Sequence, residues 1–377
     1  IVLKNDIDCQ YTSLNSISAD EFDGNGYTIK NCYITETDGS RSTSFFNKGV
    51  KTIKNVKFEN IEVSGKNGLS AAIVCTGDSN KIENVHVENC KITYTQASHG
   101  NNLTKTARKC YIGGIYAGFE SSLNNGYPTE YFDCQITNCS VTALTIELNG
   151  CAATNAAQAK MYAGGIAGGC NNIKNCAAKD LKITAISTGI FNYPYIGGIV
   201  AYSEGSIEKC EATGNRLLAK APYYSASGAG YASSDVYNGG IVAYVKSSGN
   251  IKYCHADDNH FYSTSSGSIY SGGIAGYHNY FTADGYVQKA NGNLATQRAK
   301  RRIGGLIGTS KNNAVTSCFS YNSDTMAEQN SDLLNEPSES KIAGLIAETD
   351  KNTTVIYSAA YSKLITSPVK DAFITTD

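Results

Sequence analysis

The residues of this sequence best suited to chemistry form one short segment, His255-Ala256-Asp257-Asp258-Asn259-His260. Glycoside hydrolysis needs two carboxyl groups about 5 to 9.5 Å apart, and histidine with aspartate also suits a divalent metal ion. His255 and Asp257, however, fit the outward positions of a strand whose inward positions hold small residues. We favour that structural explanation, so the sequence predicts no catalytic residue and no metal site.

Other signatures of enzymes and cofactors are missing from the sequence. There is no Gly-x-Ser-x-Gly nucleophile elbow and no Gly-Lys-Ser/Thr phosphate loop. The Gly-Gly-Ile segments lack the following helical pattern that a dinucleotide site requires, and no Cys-x-x-Cys pair supports a structural zinc ion. We therefore predict no cofactor. Acids of the early repeats, such as Glu83 and Glu88, interleave with lysines and predict surface ion pairs.

Tyrosine-rich insertions are the predicted binding surface. Variable segments precede the glycine-pair strands described below, at 93–110, 146–161, 217–237, 260–270 and 325–341. The third is rich in Tyr, Ser, Ala and Gly, a composition typical of adaptable recognition surfaces. The predicted ligand-binding residues are Tyr223, Tyr224, Tyr231 and Tyr262, and the predicted partner is a glycan or a surface protein. The alternative is that these tyrosines only pack over the outer face of the strands.

The elements that would position these residues form an internal repeat. A pair of glycines followed by an aliphatic residue begins at Gly113, Gly164, Gly197, Gly239, Gly272 and Gly304. A seventh copy, Ala343-Gly344-Leu345, has lost one glycine. The uneven spacing of the copies indicates a constant core with insertions of variable length.

A second motif, apolar-x-Asn-(Cys/Val), recurs between the glycine pairs, and its apolar residues alternate with polar ones. This period of two predicts strands, and no helical stripe persists between them. Short parallel strands without connecting helices predict an all-β fold, a single-stranded parallel β-helix or solenoid of about ten coils with loop insertions on one side.

In such a fold like residues stack over like. The fourth position of the second motif predicts an interior column of small or apolar residues, namely Cys32, Val56, Val85, Cys134, Cys176, Cys210, Cys254, Ala290, Cys318 and Ser358. Parallel side chains on neighbouring coils disfavour disulfides, and the odd total of 13 cysteines is a poor disulfide framework. Buried free thiols are therefore the prediction.

Asparagine and tyrosine predict further columns. Recurrent asparagines such as Asn55, Asn84 and Asn175 predict two structural ladders at corners of the chain, because asparagine tolerates left-handed turns and its amides can bond from coil to coil. In the later repeats the asparagine moves one place, to Asn215 and Asn259. Two residues before the glycine pairs stand Tyr111, Tyr162, Tyr195, Tyr237 and Tyr270. Parity places them on the same face as the following isoleucines, unless a bulge at the glycines reverses the direction.

Composition excludes some classes of protein. The 377 residues carry 32 Lys and Arg against 33 Asp and Glu, which argues against a dedicated nucleic-acid binder. No apolar run is long enough for a membrane span, so no direct membrane insertion is predicted. We interpret 1–377 as one domain, with 1–20 as a cap or continuation, 21–365 as coils and 366–377 as the end. The first residues, Ile1-Val2-Leu3-Lys4, suggest a mature fragment or part of a longer protein.

The cores Gly165-Ile166-Ala167-Gly168, Gly273-Ile274-Ala275-Gly276 and Gly305-Leu306-Ile307-Gly308 resemble GLUG-type repeats, and the opening segment 22–29 resembles the first coils of such proteins. The resemblance covers about residues 20 to 365. It implies a β-helical, adhesin-like protein that is secreted or anchored at a microbial surface. GLUG repeats also occur beside the peptidase domain of some immunoglobulin-cleaving proteases, and they carry no common catalytic residues.

These observations together predict a non-enzymatic extracellular or cell-surface protein, adhesin-like or structural, that binds a glycan or protein through its insertions. One alternative is a β-helical polysaccharide lyase or glycoside hydrolase acting near residues 255–262 or under the 217–237 insertion. Another is a subunit of a surface filament, since the unpaired strands of end coils invite end-to-end self-association.

Overall fold

A computed structural model of the chain describes residues 1–14, 17–36, 42–46, 50–77, 81–96, 108–120, 130–150, 159–187, 192–221, 235–246, 249–265, 268–279, 283–296, 300–304, 307–311, 314–316, 319–321, 324–327, 341–343, 346–349, 354–356, 359–361, 364–366 and 374–376. Within these ranges the regular secondary structure is all β-strand. The same ranges hold no helix long and apolar enough to cross a membrane.

The largest unit is a parallel sheet of 23 strands, which we call the large sheet. Its strands are Ile7–Leu14, Glu21–Asp23, Thr28–Thr35, Thr52–Gly68, Lys81–Glu88, Lys91–Gln96, Gln135–Thr137, Ser140–Thr142, Thr145–Asn149, Asn172–Lys174, Ala177–Lys179, Lys182–Ile186, Ser206–Glu208, Glu211–Thr213, Arg216–Ala221, Asn250–Ser265, Ala283–Thr296, Ala314–Thr316, Phe319–Tyr321, Asp324–Ala327, Thr354–Ile356, Ala359–Tyr361 and Leu364–Thr366. Along most of them buried residues alternate with partly exposed ones, as the period of two in the sequence predicts.

Two smaller parallel sheets complete the architecture. The glycine-pair sheet consists of Ser42–Thr43, Ser70–Ala72, Arg108–Gly113, Ala159–Gly164, Asn192–Gly197, Val236–Gly239, Ser268–Gly272, Lys300–Gly304 and Lys341–Ala343. The third sheet consists of Ala167–Gly169, Val200–Ser203, Val242–Val245, Ala275–Asn279, Ile307–Lys311, Ile346–Thr349 and Ile374–Thr376. A separate antiparallel pair joins Phe119–Glu120 to Glu130–Tyr131.

The predicted fold class, a single-stranded parallel β-helix of about ten coils, is wrong. Pairings in the large sheet close into a ring of ten parallel strands, which runs through Thr52–Gly68, Lys81–Glu88, Ser140–Thr142, Ala177–Lys179, Glu211–Thr213, Asn250–Ser265, Arg216–Ala221, Lys182–Ile186, Thr145–Asn149 and Lys91–Gln96. The ring closes because two long strands, Thr52–Gly68 and Asn250–Ser265, each pair with two shorter strands. Additional sheets lie outside this ring. The all-β and parallel character of the prediction is correct.

The cysteine column is correct in kind, but three of its predicted members, Cys32, Cys134 and Ala290, are misplaced. Ala290 lies beside Asn259 instead of Cys254, and Cys318 and Ser358 lie outside the described residues. Ile136 pairs with Ile173 in parallel register, so Cys139, not Cys134, precedes Cys176 in the column. The motif was aligned five residues too early in that repeat, where an aromatic segment imitates it. Cys134 instead accepts a hydrogen bond at its carbonyl oxygen from the thiol of Cys170, at 3.0 Å. At the start of the chain Cys32 likewise lies beside Ile61 rather than Val56.

The asparagine ladders are confirmed as structural corners. Asn55, Asn84 and Asn175 all have a positive φ between 52° and 54°, a conformation that asparagine adopts at small cost. Their amides bond from row to row, with Asn84 Nδ2 donating to Asn55 Oδ1 at 3.0 Å and Asn175 Nδ2 donating to Asn138 Oδ1 at 3.1 Å. Asn31 and Asn60 belong to the other ladder, in which Asn60 Nδ2 donates to Asn31 Oδ1 at 3.1 Å.

The glycine pairs mark the passage from the glycine-pair sheet to the third sheet. A Cβ on Gly197 would lie 1.9 Å from the carbonyl oxygen of Val200, and one on Gly198 would lie 2.0 Å from that of Gly240. At the glycine pair the backbone therefore lies too close to the following residues of its own repeat, and to the glycine pair of the next repeat, to leave room for any side chain. This requirement explains why the pair persists while the spacing between copies varies.

Candidate functional site

The predicted ligand-binding residues fall in two groups. Tyr223, Tyr224 and Tyr231 lie outside the described residues, as do parts of all the variable segments. Tyr262 lies on the strand Asn250–Ser265 and is half-buried. The ammonium nitrogen of Lys220 lies 5.7 Å from the centroid of its ring, within the range of a cation–π contact.

Tyr262 lies within a regular grid of outward side chains. The strand Lys182–Ile186 pairs in register with Arg216–Ala221, which pairs in register with Asn250–Ser265. The intervening residues, such as Leu217 and Phe261, are buried, so the alternate positions point away from the core. We call this outward surface the basic face; it comprises Lys182, Thr184, Ile186, Arg216, Leu218, Lys220, His260 and Tyr262.

Basic side chains make up half of this face, namely Lys182, Arg216, Lys220 and His260. Lys182, Arg216 and His260 occupy one column, and all three are exposed. Among the described residues neither Lys182 nor Arg216 forms a salt bridge, whereas Lys91 pairs with Glu147 at 3.2 Å in a preceding row. Asp258 lies 3.5 Å from His260 at the edge of the face. The centre of the face thus carries positive charge beside apolar surface.

A second aromatic feature, the tyrosine cluster, lies between the two smaller sheets. One column of it is the predicted one, in which Tyr111, Tyr162, Tyr195, Tyr237 and Tyr270 stack with ring centroids 4.5 to 4.8 Å apart. These rings form a hydrophobic cluster separate from the main core that contains Ile115 and Ile199. The tyrosines therefore lie on the opposite face from the isoleucines, as expected if the direction reverses at the glycines and not as parity alone predicts.

The other column of the tyrosine cluster was missed from the sequence. Tyr202, Tyr244 and Tyr277 stack at 5.8 and 5.0 Å and meet the first column edge to face. A readable signal existed, because each of these tyrosines stands three residues after the aliphatic residue of a glycine-pair motif.

Stacking determines what the tyrosine cluster can do. Neighbouring rings occupy each other's faces, so the cluster offers mainly ring edges and hydroxyl groups to a ligand. Burial raises the pKa of Tyr162 well above its ordinary value, and the hydroxyl of Tyr202 donates to Glu204 at 2.5 Å. Burial favours a raised pKa for Glu204, but hydrogen bonds from Lys246 and Tyr202 outweigh it and lower the pKa. The cluster is best explained as packing between the sheets.

The histidine and aspartate segment is dispersed by the fold. His255 lies in register with Glu211 of the neighbouring strand, with Nδ1 3.9 Å from its carboxylate, whereas His260, further along the same strand as His255, lies beside Asp258. In the part of the chain that the structure describes, no three His, Cys, Asp or Glu residues are grouped to hold a metal ion.

The cysteines are mostly buried thiols, with one exception. Cys9 and Cys32 form a disulfide with their Cα atoms 5.1 Å apart, contrary to the expectation of free thiols. The described free cysteines are Cys75, Cys90, Cys110, Cys134, Cys139, Cys170, Cys176, Cys210 and Cys254, and all are buried. Burial raises the pKa of Cys90 and of Cys170 to about 12, so these thiols are unreactive at neutral pH.

Comparison with known proteins adds no assignment. The chain matches no protein-family model and no curated protein sequence. The resemblance to GLUG-type repeats stays a prediction.

Proposed function

We propose that the chain is a non-enzymatic, adhesin-like binding protein of the extracellular space or cell surface, which holds a glycan or a protein against its basic face. The observation that carries the proposal is the position of Tyr262, half-buried among exposed cations with Lys220 at its ring. Aromatic and basic side chains are enriched in binding surfaces because they combine apolar area with directed charge.

The scaffold favours binding because it is already ordered. Each strand that carries the face is hydrogen bonded on both sides to a parallel neighbour. Beneath the face lie the buried side chains of Ile183, Leu217 and Phe261. A ligand therefore need not order the backbone that carries the face, which reduces the conformational entropy lost on binding.

An extracellular location is supported by the pairing of Cys9 with Cys32. Disulfides persist in oxidising compartments and are rare in the reducing cytosol. The buried thiols are compatible with that location, since burial protects them from oxidants and from exchange.

The test is a binding screen on glycan and protein arrays together with a polysaccharide-degradation screen, with and without calcium. Tyr262→Ala should weaken binding of whatever the wild type retains, while Tyr33→Ala, another half-buried outward tyrosine on the large sheet, should not. Release of oligosaccharides in the degradation screen, or binding that survives Tyr262→Ala unchanged, would refute the proposal.

A further inference from the structure

We infer that the ligand of the basic face is an anionic polysaccharide, a chain of sugars bearing carboxylate or sulfate groups. This inference rests on the proposed function and names the ligand class of the same site. It follows from the charge, the spacing and the apolar surface that the face combines.

The cations of the face repeat at the spacing of the sheet. Lys182 and Arg216 occupy the same position in adjacent rows, which are about 4.8 Å apart in a β-sheet. Lys220 lies four residues beyond Arg216 on one strand, about 13 Å at the rise of a strand. Three cations at fixed positions can bind several charges of one extended polymer at the same time. A single small anion would contact only one of these positions and would gain no such increase in affinity.

These cations contrast with seven ion-paired lysines elsewhere on the described surface. Lys57 lies between Glu59 and Glu88 at 3.0 and 2.6 Å, and that pairing raises its pKa. Other lysines paired with a carboxylate are Lys30, Lys54, Lys81, Lys91, Lys174 and Lys246. Lys182 and Arg216 have no such partner among the described residues, so an incoming anion need not displace a bound carboxylate.

Apolar surface beside the cations favours a saccharide over a bare polyanion. Leu218 and Tyr262 are adjacent in register, and both are half-buried. An acidic group held by Lys220, 5.7 Å from the centre of the Tyr262 ring, would bring the attached sugar against these two side chains. The net charge of -1 for the whole chain gives no general attraction for nucleic acid.

Carboxylates lie at the edges of the basic face and not within it. Glu147 lies beside Thr184 in the preceding row but is engaged by Lys91 and by the hydroxyl of Thr93. Asp258 lies at the edge, next to His260. The ligand that fits is therefore one whose negative charges lie over the centre of the basic face.

The experiment uses the full chain and three soluble polymers: polygalacturonate for carboxylates, heparin for sulfates and dextran as the neutral control. Binding to at least one acidic polymer should weaken as salt rises, since exposed charges are screened. The variant Lys182→Gln/Arg216→Gln/Lys220→Gln should bind about tenfold more weakly, the loss expected from three exposed ion pairs. The matched control Lys30→Gln/Lys54→Gln/Lys81→Gln removes three ion-paired cations and should change affinity less than about twofold.

The outcomes separate the inference from the proposed function. Binding of a neutral glycan or a protein that depends on Tyr262 but not on salt overturns the inference and leaves the function intact. Duplex DNA bound as tightly as the acidic polymers, with the same sensitivity to the triple variant, also overturns it, because charge alone would then suffice. No binding of any glycan or protein by the wild type refutes both. A preference between polygalacturonate and heparin identifies the acidic group.

Discussion

Replacing Asn215 by leucine should lower the free energy of unfolding, although leucine suits the shape of the site. Asn215 is fully buried and stands one residue before Arg216, in register with Leu181, which precedes Lys182. The corresponding position of the neighbouring strand therefore already holds a leucine. The substitution therefore removes a polar network from the core with little change in packing volume.

The magnitude follows from the bonds that are lost. Asn215 Oδ1 accepts the backbone N–H of Leu181 at 2.9 Å, and Nδ2 donates to the carbonyl of Ala178 at 3.2 Å and to Asn259 Oδ1 at 2.8 Å. Two backbone groups lose a buried partner, at about 1–3 kcal/mol each. Burial of the leucine side chain offsets about 1.5–3 kcal/mol, so the middle of the two ranges gives a net loss of about 2 kcal/mol.

Urea unfolding, followed by circular dichroism and by the fluorescence of the 26 tyrosines, measures the loss without interference from tryptophan, which the chain lacks. The exposed strand residue Asn149 provides the control, since Asn149→Leu should change stability by less than about 0.5 kcal/mol. The double variant Asn215→Leu/Asn259→Leu should cost about 1 kcal/mol less than the sum of the single ones, because their amides bond to each other. Wild-type stability in Asn215→Leu, or strict additivity, would refute the reasoning.

Three further predictions concern the glycine pair, the disulfide and the buried thiols. Gly198→Ala should lower the unfolding free energy by about 2 kcal/mol or more, since its Cβ would lie 2.0 Å from the carbonyl oxygen of Gly240; a thermal midpoint equal to that of the wild type would contradict this. Cys9→Ser/Cys32→Ser should lose about 3 kcal/mol, the loop-closure entropy of a 23-residue separation, and a urea midpoint unchanged by reductant would count against it. Because burial raises the pKa of Cys90 to about 12, the folded state keeps a proton that the unfolded thiol releases near pH 8.5, so stability should fall as pH rises above that value. At pH 9.5 the loss is about 1.4 kcal/mol for each such thiol, and a urea midpoint that is constant between pH 7.5 and 9.5 would exclude it.

Local features of the fold could be predicted where one residue type serves one backbone requirement. The glycine pairs and the corner asparagines are such cases, because a close approach excludes any Cβ and a positive φ favours Asn. Even these rules have exceptions, since Ala143, Lys209 and Tyr253 also adopt a positive φ. At these places the neighbouring rows already determine the path of the chain, so the intrinsic preference of the residue is overridden.

Pairing between strands could not be predicted in the same way. The motif around Asn138 is preceded by Phe132 and Cys134, which imitate it, and only the register of Ile136 with Ile173 distinguishes the two. The closed ring in the large sheet also has no local signature, because it arises from long strands that each pair with two shorter ones. A pattern with a period of two specifies which face of a strand is buried, not which strand lies beside it.

The candidate site was predicted only at Tyr262, because a binding surface needs neighbours that are distant in sequence. Lys182 and Tyr262 are 80 positions apart, yet Arg216 and Leu218 join them into one face. Composition directed attention to the tyrosines of 217–237, whereas the charge that defines the face comes from regular strand residues. In the sequence such residues look like ordinary solvent-exposed strand residues. Only the register of the strands shows that the residues beside them are not acidic.

The interior asparagines and the basic face occupy the same rows, and this coincidence has a physical consequence. Asn215 immediately precedes Arg216, and Asn259 immediately precedes His260. An amide pair inside the core is satisfied in only one register, whereas stacked leucines tolerate small shifts. We therefore expect Asn215→Leu to weaken binding of the acidic polymer that the wild type retains more than Cys9→Ser/Cys32→Ser does, even where the two variants lose similar stability. Equal affinities in these two variants would mean that the amide pair contributes to stability alone and not to the geometry of the face.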